Sequence, residues 1–446
     1  MKKNLLITFT LLCSANFIFA QFISVQSFFQ PTGVSNLGLV AGYSAQAGPY
    51  QIWNPDSGAI TDIGGVAPGQ GVGGQARFSA GGDFLSGTSV GASVPEISRY
   101  NFVTGQWTAL GSLGFMIDST LSGGFGISND GNTVVGLSWA DTTGGFAYAH
   151  GVAYNSTEGI MDLGSLFLGK STRANAVSGD GSVVVGWQDF NGPWKSAVWR
   201  KNPGGGYFPN EYILIDTTGN PNDEYNQLGE CSTISDDGNW IGGYGDYANN
   251  YEPWIWSRDS GVINLGTLPN VGTGYVSALS ADASVAVGWF DAQLWGDPQT
   301  PFIWTRTGGL QELNSYINNV LGDSTGMRQV YGASTISANG QYVAGWGIDN
   351  NGFNPFAFRV SLSPTGIQTV TGPARMIVYP NPASRFVTIE NSGNAIMTLR
   401  SADGKLLKNT TVNGNTTVDI SGFAAGVYFL SVQSDDFIQT SRLVKE

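Results

Sequence analysis

The stretch Ala176-Val177-Ser178-Gly179-Asp180-Gly181-Ser182-Val183-Val184-Val185-Gly186-Trp187 constrains the fold more than any other, because variants of it recur along the chain. It reads as a strand, a tight Asp-Gly turn, a second strand and a Gly-aromatic stop. The stop recurs at Gly42, Gly87, Gly136, Gly186, Gly242, Gly288 and Gly345, spaced 45 to 57 residues apart. That makes seven units, and a period in this range marks a repeat architecture. Ser-turn-Gly sequences precede the stop at Ser128-Asn129-Asp130-Gly131, Ser178, Ser235-Asp236-Asp237-Gly238, Ser280-Ala281-Asp282-Ala283 and Ser337-Ala338-Asn339-Gly340. Ser79-Ala80-Gly81-Gly82 is a degenerate version, and the first unit reads as lacking one.

Each unit carries two further strands. One is an apolar run ending in an aromatic residue, as in Gln51-Ile52-Trp53, Ala197-Val198-Trp199 and Phe302-Ile303-Trp304. The other ends in a Leu/Ile-Gly step, with Leu313-Asn314 in its place in the sixth unit. Asp-Gly and Asn-Gly supply the positive-φ residues of hairpin turns. Val, Ile and Trp suit a pleated, half-buried surface. Gly before Trp permits a close backbone approach or a bulge. Four short strands make a sheet with two apolar faces that cannot hide both alone. Radial stacking buries them, which predicts an all-β fold, a seven-unit β-propeller of four-stranded blades. A linear β-solenoid is the rival, with shorter and more uniform units. The strand-like run from Phe22 to Phe29 is a candidate to fill the fourth strand missing from the seventh unit and so close the ring.

The termini read differently. Lys2-Lys3, the apolar run Leu5 to Leu12 and Ala20 predict a signal peptide over residues 1–20. Removing it leaves Cys231 as the sole cysteine, so no intramolecular disulfide is available. No later stretch reaches the roughly 18 apolar residues of a membrane helix. The propeller is expected over 21–360 and a Ser/Thr/Pro/Gly-rich linker over 361–375. From 376 to 446, six or seven short strands predict a small antiparallel β-sandwich.

That C-terminal segment resembles the type A sorting domain of the type IX secretion system. The matching residues are Tyr379-Pro380-Asn381-Pro382-Ala383-Ser384, Asp403-Gly404-Lys405-Leu406-Leu407, Gly426-Val427-Tyr428 and Leu443-Val444-Lys445. The resemblance implies periplasmic passage, engagement of the type IX secretion machinery through residues 376–446, and an extracellular or cell-surface product of the Bacteroidetes group. The repeats, notably Ile127 to Gly136 and Ile234 to Gly242, resemble the HAF-type extracellular repeat family, which implies a propeller-like fold and little about chemistry.

Composition narrows the function. The net charge is −13, with 20 Lys and Arg among 446 residues and no basic cluster, which argues against nucleic acid and anionic membranes. The single histidine, His150, lies outside any nucleophile-elbow pattern, so no catalytic residue is assigned. Clustered His and Cys are missing, so no zinc or copper site is expected. Oxygen-rich turns at Ser235-Asp236-Asp237-Gly238 and Asp349-Asn350-Asn351-Gly352 leave Ca²⁺ possible, with plain turn chemistry favoured. The distinctive recurrence is an aromatic residue followed by an aspartate: Trp139 and Asp141, Trp187 and Asp189, Tyr244 and Asp246, Trp289 and Asp291, Trp346 and Asp349. A ring of aromatics beside carboxylates holds sugars by stacking and hydroxyl hydrogen bonds. The competing reading makes these Trp residues core and the Asp residues turn caps. The expectation is an exported binding protein for a glycan or another surface macromolecule. The alternatives are an extracellular glycoside hydrolase and a structural or adhesion protein of the surface layer.

Overall fold

The computed structural model describes residues 21–44, 49–66, 74–91, 94–115, 122–141, 148–190, 194–245, 252–293, 298–326, 328–349, 354–362, 376–391, 394–401, 405–433 and 438–446. The expected signal peptide and most of the expected linker lie outside them. The chain divides into two compact units, Met1–Thr365 and Gly366–Glu446.

Among the described residues the first unit contains seven antiparallel sheets. The first comprises Phe29–Val34, Val40–Ser44, Tyr50–Asn54 and Ala59–Gly64. The second comprises Phe84–Val90, Pro95–Asn101 and Gln106–Ala109, with residues 74–79 bonded along its inner edge. The third runs Gly123–Ile127, Val134–Asp141, Tyr148–Asn155, Gly159–Asp162. The fourth is Thr172–Val177, Val183–Gln188, Lys195–Arg200. Isolated bridges from Val198 and Lys201 to Glu211 and Tyr207 stand in for a regular outer strand there. The fifth is Cys231–Ile234, Trp240–Gly243, Trp254–Ser257, Gly261–Asn264. The sixth is Val271–Leu279, Val285–Ala292, Thr300–Thr305, Gly309–Glu312. In the seventh, Arg328–Ile336, Tyr342–Asp349 and Pro355–Ser361 are completed by Phe22–Gln26, which pairs antiparallel with Pro355–Ser361. The N-terminal run therefore splits: Phe22–Gln26 ends the ring, and Phe29 begins it.

Seven apolar clusters fill the seven contacts between neighbouring sheets. Val135, Ala174, Val184 and Trp199 pack between the third and fourth, for example. Phe29, Val40 and Trp53 of the first sheet pack on Ala344 and Ala357 of the seventh. That last cluster closes the circle, so the architecture is a β-propeller. The third-strand residues Trp53, Trp199 and Trp254 are fully buried in these layers.

The turn repeat has one mechanism. Ser178 Oγ donates to Asp180 Oδ1 and accepts from the Val183 amide, while Asp180 Oδ1 also accepts from the Ser182 amide. Ser128, Ser235, Ser280 and Ser337 repeat the hydroxyl contacts. Gly181 takes φ +75°, and Ala283 holds the same position in the sixth sheet at φ 51°. The first unit does have this turn, contrary to expectation. Ser35 Oγ accepts from the Leu37 and Leu39 amides, and Gly38 bonds back to the Ser35 carbonyl. Leu37 at the Asp/Asn position hid it. In the sixth sheet Gly309–Glu312 is the fourth strand, and Leu313 instead opens a buried-face helix, Leu313–Asn319, capped by Glu312.

The second unit has two sheets. One orders Met376–Tyr379, Phe386–Asn391 and Thr416–Asp419; the other orders Leu406–Asn413, Asn394–Ser401, Gly426–Gln433 and Ile438–Lys445. Val387, Ile389, Met397, Leu399, Leu430 and Leu443 fill the space between them. Tyr379, Pro380, Asn381 and Pro382 are exposed. Asn381 Nδ2 donates to the Arg442 carbonyl (2.6 Å) and its Oδ1 accepts from the Val444 amide (2.8 Å), so one side chain substitutes for a neighbouring strand along the last one. Gly426 opens its strand, and the mostly buried Tyr428 donates to the Ala424 carbonyl. Gly404 lies outside the described residues. Asn381→Ala is expected to cost about 1–3 kcal/mol locally, read as faster hydrogen exchange across Ile438–Lys445 in the full-length chain.

Candidate functional site

Six of the seven sheets of the first unit carry a bulge in the inner strand. The register slips around Thr32, Phe125, Asn175, Ser232, Ser277 and Ser334. All six lie three residues before the turn serine, and all line the central channel. The extra residue turns inward and reaches the next sheet. Ser334 Oγ donates to the Pro31 carbonyl (2.7 Å), Thr32 Oγ1 to Ala76 (3.0 Å), Asn175 Nδ2 to Cys231 (2.8 Å), and Ser277 Oγ to Ala333 (2.5 Å). Ser232 Oγ bonds the Val276 carbonyl in the same way. The signal was present as Ser232-x-x-Ser235, Ser277-x-x-Ser280 and Ser334-x-x-Ser337, and sequence reasoning missed it.

The bulge also explains the landmark glycines. It drives an inner-strand carbonyl toward the second strand. A Cβ at Gly186 would lie 1.8 Å from the Arg173 oxygen, one at Gly288 1.8 Å from that of Tyr275, and one at Gly345 1.9 Å from that of Gly332. In the fifth sheet the equivalent residue is Gly243, beside the Glu230 carbonyl, rather than Gly242.

The channel narrows at the turn end. The Asn129 amide donates to the Gly179 carbonyl, Gly179 to Asp236, Asp236 to Ala281, and Ala281 to Ala338, a chain of hydrogen bonds across five sheets. Asn129 Nδ2 then crosses over Gly179 to Asp236 Oδ2 (2.6 Å). A Cβ on Gly179 would sit 2.4 Å from that nitrogen, so the strap needs glycine there. Burial, with the neighbouring Asp237 charge, raises the Asp236 carboxyl above its usual range. Asp237 itself is bound by Ser235 and Asn239, as a turn cap. Among the described residues no group of three or more His, Cys, Asp or Glu could hold a metal ion.

The opposite end widens into a cavity of about 290 Å³. Its wall is a run of aromatics: Tyr244 and Tyr275 have centroids 4.5 Å apart, and Tyr275 stacks on Trp289 at 5.8 Å and 23°. All three are half-buried. Carboxylates fix their hydroxyls. Tyr275 donates to Asp291 Oδ2 (2.7 Å), and Gln299 Nε2 holds Asp291 Oδ1 (3.1 Å). Tyr244 donates to Glu230 Oε2. Glu230 Oε1 receives Arg173 Nη2 (2.9 Å) and Asn175 Nδ2 (2.7 Å). Burial, and then these acceptors, push both tyrosine pKa values well up, so the phenols stay protonated donors.

Of the sequence-predicted residues, the structure brings Tyr244, Trp289 and Asp291 together here. Trp187 is 6 % exposed and lies flat beneath Trp194 (4.3 Å, 5°), which is 42 % exposed, with the Arg173 guanidinium 5.4 Å away. The loop residue Trp194, not Trp187, offers the open ring. Trp139 and Trp346 are half-buried and do not line the cavity; Trp346 meets Tyr331 edge-on. Asp189 bonds through its backbone to Ser171, and Asp349 accepts from Asn354 Nδ2 (2.7 Å). The Asp141 backbone pairs with Tyr148; its side chain, and all of Asp246, lie outside the described residues. Sequence reasoning missed Tyr275, Glu230 and Arg173, which belong to the inner strands or lie just before one. His150 Nδ1 pairs with Asp162 (2.8 Å) on the outer strands of the third sheet. Burial raises the Cys231 thiol pKa far above its usual value, which makes it an inert core residue.

Residues 377–446 match the family model described as a secretion system C-terminal sorting domain. No curated protein matches the chain. Solved structures similar to it include TolB from Acinetobacter baumannii, at 15 % identity and TM-score 0.38, covering 65 % of this chain and 62 % of TolB, less than two thirds of that protein's length. Another is the β-propeller domain of the trilobed protease from Pyrococcus furiosus, at 11 % identity and TM-score 0.42, covering 80 % of this chain and all of that domain. The sorting domain marks the protein for export to the cell surface or the extracellular space.

Proposed function

We propose that this is an exported glycan-binding protein whose seven sheets are the blades of one propeller and whose ligand enters the wide mouth of the central channel. The observation that carries this reading is the Tyr244-Tyr275-Trp289 wall, with its two tyrosine hydroxyls oriented by the carboxylates of Glu230 and Asp291. Aromatic rings stack on the apolar face of a pyranose. Asp291 Oδ1 and Oδ2 each accept one bond from the protein and keep a lone pair for a sugar hydroxyl. In this reading the HAF-like repeats build the scaffold, and a signal peptide cleaved after Ala20 and the type IX route deliver it. Such a cleavage leaves Gln21, whose carbonyl accepts from the Ser361 amide, at the head of the ring-closing strand.

The test is binding to a polysaccharide panel followed by calorimetry on the best ligand. Trp289→Ala is expected to weaken binding at least about tenfold, equivalent to about 1.4 kcal/mol. Trp346→Ala, which alters an equivalent tryptophan away from the cavity, is expected to leave it unchanged. Equal effects of the two, or no effect of the first, would sink the proposal. New reducing ends released in the same assay would make the site hydrolytic instead.

A further inference from the structure

The channel waist holds a half-buried cation that no carboxylate pairs among the described residues. Arg77, on the inner segment of the second sheet, lines both the wide cavity and the narrower one of about 130 Å³ beneath it. Its polar partners are neutral: Nη1 donates to Thr335 Oγ1 (3.3 Å) and Nη2 to Gln75 Oε1 (3.1 Å). Among the described residues no carboxylate lies within 4.0 Å of it, whereas Arg173, the other arginine on the wide cavity, is paired with Glu230. Asp236 lines the narrow chamber but is bonded to Asn129. A charge partly withdrawn from water is ordinarily paired, because its lost hydration needs compensation. Burial lowers the Arg77 pKa to about 10, which still leaves it charged at neutral pH.

We propose that Arg77 is an anion subsite and that the ligand of this channel carries a carboxylate: a uronic acid unit of an acidic polysaccharide. The inference rests on the sugar-binding reading above. Each Nη keeps a second N–H after its present bond, and a guanidinium fork matches a carboxylate in two-point contact. The aromatic wall lies on the same cavity, so one ligand can stack at the mouth and place its carboxylate at the waist. At about 290 Å³ the cavity is roughly ten times the ~30 Å³ share of a water molecule, room for a sugar ring as well as its charged group. The fold brings two of the few arginines to one cavity.

The test titrates the full-length secreted protein with a glucuronic acid trisaccharide, with its carboxyl-reduced neutral counterpart, and with inorganic sulfate. The wild type is expected to prefer the uronate at least tenfold. Arg77→Leu is expected to erase that preference, to leave the neutral affinity within about twofold, and to melt no lower than wild type, since an unpaired, partly desolvated charge is gone. Arg77→Lys is expected to keep part of the preference, and decides the matter should Arg77→Leu fail to fold. Equal wild-type affinity for the two sugars overturns the subsite and leaves the sugar-binding reading standing. Binding of neither sugar overturns both, and binding of sulfate alone makes the waist a simple anion site and overturns the uronate assignment.

Discussion

A chain lacking residues 21–26 is expected to lose about 5 kcal/mol or more of stability, enough to remove a cooperative unfolding transition from an ordinary domain. The deleted strand pairs Phe22 to Gln26 with Phe356 to Val360. Phe22 stacks on Phe358 (5.6 Å, 20°) and meets Phe356 edge-on (6.4 Å), and its amide donates to Asp323 Oδ2 (2.7 Å). Losing a buried phenylalanine costs about 3–5 kcal/mol. Ile23 and Val25, packed on the Trp53 cluster, add to that. The deletion also bares the backbone edge of Pro355–Ser361, so aggregation is expected to accompany it. Denaturant titration followed by tryptophan fluorescence reads the effect. An unchanged midpoint would mean that the ring is held without this strand.

Replacing Gly288 by Ala is expected to cost at least about 3 kcal/mol, well beyond an ordinary Gly-to-Ala change. The new methyl group would stand 1.8 Å from the Tyr275 carbonyl and 2.9 Å from the Phe302 ring. Neither can yield: the carbonyl belongs to a bulged strand bonded to both neighbouring sheets, and Phe302 is fully buried. Gly309→Ala in the same sheet is the control. Gly309 has φ +68° and nothing within 4 Å of its missing Cβ, so only the left-handed backbone penalty of about 1–2 kcal/mol applies. Thermal melts of the two variants separate steric exclusion from backbone preference. Similar losses for both would refute the close-approach account of the landmark glycines.

The repeat was legible because its causes are local. A serine hydroxyl, an aspartate two residues on and a glycine at positive φ make the turn within six residues, so Ser178 to Val183 announces itself wherever it occurs. The first unit escaped notice since Leu37 fills the aspartate position while Ser35 still bonds the amides beyond it. The inward serines at 232, 277 and 334 were equally local. Their role depends on a bulge, and strand alternation gives no hint of which residue is extra. The sorting segment was legible for the same reason as the turns: its strands are short, regular and bounded by Gly, Asn and Pro.

From the sequence alone came the period, the strand grammar, a closing role for the run from Phe22 to Phe29 and the export segment at 376–446. Each rests on interactions between residues near in sequence or on a repeated pattern. Only the tertiary structure decided which aromatics are available to a ligand. Trp187 and Trp289 occupy the same place in the same phrase, yet Trp187 is covered by Trp194 and Trp289 stands beside Tyr275 on an open cavity. Exposure at that position is set by the residue opposite on the inner strand and by the loop above it, and both vary while the phrase does not. Arg77 gives the sharper case. Among the described residues no carboxylate lies within 4.0 Å of it, and that depends on several inner strands at once, because a charge in a channel is compensated by whatever faces it across the ring.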